Sequence, residues 1–140
     1  MSEVQARGLL DTSTVILLGR LKDPNVLPAE CVVSAVTIAE LSVGPHVART
    51  QSERAARQSH LQQAESDFEA IPFDSAAARA FGRVAASLRQ SGRKPAARAY
   101  DALIAATALA NDLPVYTCNA GDFSGIEELT IVEVPHPDRH

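Results

Sequence analysis

Arg7-Gly8-Leu9-Leu10-Asp11-Thr12-Ser13-Thr14-Val15-Ile16-Leu17-Leu18 passes from a short apolar run, through an Asp-Thr-Ser turn, into a second apolar run. Residues 7–11 are expected as a buried strand, and the Asp-Thr-Ser side chains suit the cap of a helix over residues 14–21, because their oxygens accept the first free backbone N–H groups. A strand feeding a helix in this way is half of a βαβ unit. The pattern recurs downstream: Cys31-Val32-Val33-Ser34 is strand-like, and residues 36–43 form a helix expected to stop at Gly44-Pro45.

Residues 50–65 are rich in Ala, Gln, Arg and Glu, which predicts an exposed helix or arm. Residues 68–73 read as a short strand. Ala77, Phe81, Val84, Ala85 and Leu88 have helical spacing over residues 75–91, and Ser91-Gly92-Arg93-Lys94-Pro95 breaks that helix. After a loop of roughly eight residues, 101–111 is a buried helix of Ala, Leu and Ile, 114–118 and 129–134 are strands, and 135–140 is a polar tail. This order predicts an α/β fold with a mostly parallel central sheet of about four to five strands, helices on both faces and right-handed crossovers. The whole chain, 1–140, is expected to be one domain with its core over about 7–134.

Composition narrows the function. Hydrophobic residues are 46% but aromatics only 4%, and Trp is absent, so the core must be built from Ala, Val, Leu and Ile. The formal charge of −4 argues against a protein that coats nucleic acid by bulk attraction, though not against a nuclease, since bound divalent ions reverse the local field. The positive charge is clustered, with Arg89, Arg93, Lys94 and Arg98 ahead of Asp101 and with Arg49, Arg54 and Arg57 apart from them. Both groups fit solvated faces as well as phosphate-guiding ones. No apolar run approaches the roughly 20 residues that cross a bilayer, and residues 1–8 lack a signal-peptide pattern, so a cytoplasmic protein is expected. Cys31 and Cys118 read as reduced core thiols.

Four acids stand at turns or on apolar helices: Asp11, Glu40, Asp101 and Asp122. In open parallel sheets functional groups collect at the carboxyl ends of the strands, which is where Asp11, Glu40 and Asp122 should meet, and Asp101 joins them if its helix begins at that edge. Asp11 and Asp101 also read as helix caps or first-turn acids, and Asp122 as an ordinary turn residue. Glu40 is harder to place as structural, because Val36, Thr37, Val43 and Gly44 surround it on its helix and no Lys or Arg lies within a turn. Carboxylates gathered without matching cations call for a divalent ion, and all-oxygen ligation favours Mg²⁺ or Mn²⁺ over Zn²⁺. His46, His60, His136 and His140 show no ligand spacing.

The segments Leu9-Leu10-Asp11-Thr12-Ser13, Thr37-Ile38-Ala39-Glu40-Leu41, Tyr100-Asp101-Ala102-Leu103-Ile104-Ala105-Ala106-Thr107-Ala108 and Tyr116-Thr117-Cys118-Asn119-Ala120-Gly121-Asp122-Phe123 together resemble the four motifs of PIN-domain proteins, specifically the toxin ribonucleases of VapBC toxin–antitoxin modules. The resemblance runs over residues 9–134. It implies a PIN-like fold, endonucleolytic RNA cleavage with Mg²⁺ or Mn²⁺, a homodimer, and a small antitoxin whose tail occupies the acidic pocket. Carried over, Asp11, Glu40, Asp101 and Asp122 form the catalytic and metal-binding quartet, with Thr12, Thr117 and Asn119 orienting water or a carboxylate. Tyr100 stands where the pattern often carries a further acid. Arg93, Lys94 and Arg98 are expected on the RNA backbone, and the expected chemistry is in-line attack of an activated water on a phosphodiester. A PIN-type nuclease of RNA processing without an antitoxin, and a catalytically silent PIN-like binding module, are the alternatives. A phosphoryl-accepting receiver domain is disfavoured, because Lys22 and Lys94 are not placed near the last strands.

Overall fold

Leu9, Val32 and Val115 pack into one apolar cluster while their chain neighbours Leu10, Val33 and Tyr116 pack into another, so each strand alternates between two covered faces. The computed structural model describes residues 6–139, the side chain of Ala97 excepted; His140 and residues 1–5, which entered the reading of the tail and of the leader, lie outside that range. Its strands are β1 (Arg7–Leu10), β2 (Glu30–Ser34), β3 (Glu69–Ile71), β4 (Val115–Thr117) and β5 (Ile131–Glu133). They form one sheet in the order β3-β2-β1-β4-β5, and every pairing is parallel. The expected parallel α/β architecture is what the chain adopts.

Five α-helices connect and cover these strands: α1 (Thr12–Leu17), α2 (Ala35–His46), α3 (Gln51–Asp67), α4 (Ser75–Gln90) and α5 (Ala99–Ala110). The first cluster joins Val84 and Leu88 of α4, the apolar run of α5 and the anchoring Phe123 to one face of the sheet. The second joins Val15 of α1 and Ala64 of α3 to the other. Val36 belongs to the first cluster and Leu41 to the second, so α2 bridges the two. Ala64 is the one buried residue of α3, as its polar composition predicts. Among the described residues no helix is long and apolar enough to cross a membrane.

Three local readings need correction. Helix α1 starts at Thr12 rather than Thr14, because Asp11 is itself the cap: its backbone is extended (φ −78°, ψ 172°) and its carboxylate accepts the Thr14 N–H. The helix also gives way to a 3₁₀ turn at Leu18–Arg20. Helix α2 does not stop at Gly44-Pro45 but continues to His46. Pro45 removes only one donor in the last turn, and the Gly44 carbonyl finds a tertiary partner, accepting from Nη1 of Arg57 on α3 at 3.0 Å. Helix α5 begins at Ala99, so Asp101 lies within its first turn, and the preceding loop contains a 3₁₀ turn at Pro95–Arg98.

Two glycines serve close approach. A Cβ on Gly8 would lie 2.5 Å from Cε1 of the buried Tyr116 ring and 3.0 Å from Pro28. Gly125 (φ +89°) lets the loop after Asp122 lie against the end of α4, where a Cβ would meet Ser91 Oγ at 2.6 Å. Because neither the Tyr116 ring nor the paired strand can retreat cheaply, Gly8→Ala is expected to destabilise the fold by about 1–3 kcal/mol. Chemical denaturation checks this, and a midpoint equal to wild type would mean that the Tyr116 ring moves freely.

Candidate active site

Asp11 follows β1, buried to 2% exposure, and is held by side chains from the start of α1 and the end of β4. Thr14 Oγ1 donates to Asp11 Oδ1 at 2.7 Å and itself accepts from the Cys118 N–H at 3.1 Å. Thr117 Oγ1 donates to Asp11 Oδ2 at 2.7 Å and accepts from the Asn119 N–H at 2.9 Å. Successive backbone N–H groups past β4 thus polarise two threonine hydroxyls, each aimed at one carboxylate oxygen. The Thr14 N–H and Ser13 Oγ complete the cradle. Four donor groups thus meet the two carboxylate oxygens, about as many as a carboxylate has lone-pair directions, so the cradle fixes the orientation of Asp11. Asp11 is therefore both the helix cap and the best-oriented acid of the edge.

The other acids gather around Asp101. Burial, then the charges of Asp122, Asp11 and Glu40 in that order, push the Asp101 carboxyl up to about 7, against the opposing field of Arg98. Three acids remote in sequence thus act electrostatically on Asp101. Glu40 extends from the middle of α2, and its Oε1 is buried with no hydrogen-bond partner among the described residues. Asp122 is held differently. It sits on the 3₁₀ turn Ala120–Phe123, which Phe123 anchors in the core, and it forms an ion pair with Arg98.

The remaining predicted residues divide. Thr117 touches Asp11, whereas Thr12 pairs with Thr37 Oγ1 at 3.0 Å and ties α1 to α2. Asn119 contributes its backbone N–H to the relay. Arg93 and Lys94 are exposed, while Arg98 is engaged with Asp122 instead of standing free. Sequence reasoning missed Thr14 as a contact of Asp11. Once Asp11 is taken as the cap, the residue whose N–H the cap accepts is Thr14, so capping geometry carried that signal. Burial raises both cysteine thiols, so neither Cys31 nor Cys118 is a ready thiolate nucleophile.

Does this arrangement suit a divalent cation? The donors are all carboxylate or hydroxyl oxygens, a buried Glu40 oxygen lacks a partner, and the carboxylates repel at Asp101, which a hard cation would relieve. Among the described residues no three Asp, Glu, His or Cys side chains stand in an arrangement already closed for an ion. The fit is in charge and donor type, and it requires side chains to turn inward, Asp122 away from Arg98 in particular. Beside Glu40 a cleft of about 200 Å³ opens between α1, α2 and α3, with Thr12, Arg57 and His60 in its wall.

Known proteins share this sequence pattern and fold. The PIN domain model matches residues 9–129. Ribonuclease VapC5 of Mycobacterium tuberculosis is 38% identical over 136 residues, spanning 96% of this chain and 98% of that protein. The crystal structure of VapBC-5 from the same organism, a member of the VapBC family of toxin–antitoxin systems, superposes with a TM-score of 0.77 at 36% identity, covering 92% of this chain and 99% of that one. DNA-bound VapBC from Salmonella typhimurium superposes with a TM-score of 0.73 at 25% identity, over 92% and 98% of the respective chains.

The Asp101 carboxyl titrates near 3.8 in the unfolded chain and about 7 in the fold. Between these values the folded protein keeps a proton that the unfolded chain has released, so stability falls as pH rises across that window and the loss is complete above it. Asp101→Asn removes this slope. The melting temperature of Asp101→Asn minus that of wild type, both metal-free, should grow from pH 4 to about pH 8; a constant difference would show that the acids do not crowd Asp101.

Proposed function

This chain belongs to the PIN-domain family, in its VapC branch, and from that premise we propose that it is the toxin of a VapBC-type pair, an endoribonuclease that hydrolyses RNA with Mg²⁺ or Mn²⁺ at the Asp101 cluster. The observation that carries this reading is the crowding of Asp101 by Asp11, Glu40 and Asp122 beside a buried, unpartnered Glu40 oxygen. Asp11, Asp101, Glu40 and Asp122 would hold the ion. When bound, it supplies positive charge that offsets their repulsion and the charge developing on the phosphodiester oxygens, and makes water more acidic.

The chain's own residues do the rest. Asp11 is fixed by Thr14 and Thr117, so its carboxylate is oriented without a rotational search. Glu40 Oε1 has an uncommitted acceptor site with which to orient the attacking water along the line of the scissile bond. Arg93 and Lys94, exposed next to the α5 N-terminus, hold the RNA backbone by charge. An antitoxin protein whose tail covers the acids is the expected partner, and a homodimer the expected assembly; the toxin–antitoxin systems among the structural relatives support the antitoxin partner.

RNA cleavage by wild type should require Mg²⁺ or Mn²⁺ and be abolished by chelator, and Asp11→Asn or Asp101→Asn should reduce it by at least about 100-fold, the scale of losing a preorganised electrostatic group. Equal, chelator-resistant cleavage by wild type and Asp11→Asn would end the proposal. Thr117→Val, which removes the hydroxyl that holds Asp11 and accepts the Asn119 N–H, is expected to lower activity by about 10- to 100-fold, with melting temperature checking that the fold is retained. Full activity in that variant would mean that Asp11 needs no such support.

A further inference from the structure

Arg98 lies immediately before α5, one helical turn ahead of Asp101, with its backbone still outside the helical region (φ −132°, ψ 47°). Its side chain reaches across to the 3₁₀ turn and pairs with Asp122. The two side chains remain 41% and 35% exposed, so water competes with the contact and the pair is weak. A guanidinium in this position does for one carboxylate what a divalent ion would do for several: it offsets the negative charge at the edge. It cannot bridge the group, because it engages Asp122 alone and leaves Glu40 Oε1 without a partner.

We infer that Arg98 and the divalent cation compete for Asp122: the arginine is the internal counter-ion of the metal-free site, and metal binding releases its guanidinium toward the RNA phosphate. The inference rests on the ribonuclease reading above and adds how this site is switched between its two cations. Charge balance favours the exchange. Asp122 loses one positive charge and gains a share of two, while the freed guanidinium keeps its planar donor fork, which matches a phosphate oxygen pair as well as a carboxylate. The same residue would then shield the edge when metal is absent and meet the substrate when metal is present.

Mn²⁺ affinity, measured by titration calorimetry on the folded full-length chain, tests the exchange in wild type, Arg98→Gln and Arg93→Gln, with melting temperatures confirming that each variant folds. Removing the competitor should tighten Mn²⁺ binding by roughly two- to five-fold in Arg98→Gln, the range of an exposed ion pair. Arg93→Gln removes the same charge nearby without touching Asp122 and should leave the affinity close to wild type. RNA cleavage by Arg98→Gln at saturating Mn²⁺ should nevertheless fall by roughly 10-fold or more, as one charged contact to phosphate is lost. Unchanged or weaker Mn²⁺ binding in Arg98→Gln would overturn the inference, as would equal tightening in both variants, which is a bulk-field effect. Tighter binding with undiminished cleavage would remove the phosphate role. Absence of Mn²⁺ binding in all three would overturn the metal reading itself along with the exchange.

Discussion

Asp101 is partly buried and lies in the field of three further acids, Asp122, Asp11 and Glu40, which the charge of Arg98 only partly opposes. Each is restrained by a different means. Asp11 is clamped by hydroxyls that backbone N–H groups polarise, Asp101 is carried by the first turn of α5, Asp122 rides on a turn anchored by Phe123, and Glu40 is presented from the middle of α2. Burial first, and then the charge of the other three acids, holds the Asp101 proton far above the ordinary carboxylate range. A site of this kind stores unfavourable electrostatics that a bound cation, or a substitute such as Arg98, can offset.

The packing that sustains this strain is apolar and ordinary. Alternating side chains bury both faces of β1, β2 and β4, so these strands cannot slip by one residue without turning a face inside out. Gly8 lets the Tyr116 ring sit against β1, which sets the register of β4 and with it the positions of Thr117, Cys118 and Asn119. On the opposite side Ser34 and Thr107 share a buried hydrogen bond of 3.0 Å that ties the end of β2 to α5. The cradle of Asp11 and the helix bearing Asp101 are therefore both referenced to the same central strands.

Element order and strand direction could be read from residue pattern alone, because strand runs such as Leu9-Leu10 and Val32-Val33, and helix runs such as residues 102–108, signal burial locally. Element ends were less accessible. Pro45 looks like a stop until Arg57, remote in sequence, supplies a donor to Gly44. The same holds within the site. Asp11 reads equally as cap or ligand from its neighbours, and only the fold shows that its second oxygen is held by Thr117, 106 residues away along the chain. Thr12 resembles a site residue by its place in the motif, and only the fold shows that its hydroxyl pairs with Thr37.

By itself the sequence determined the alternation of strands and helices, the oxygen-only character of the acidic set and the family resemblance, since these depend on residue type, spacing and order. Tertiary structure decided that the other acids act on Asp101, which of them is clamped, which is left with a bare buried oxygen, and that Arg98 pairs with Asp122. Those outcomes depend on distances between residues far apart along the chain, and such distances exist only once the parallel strands have paired and brought their carboxyl ends to one edge.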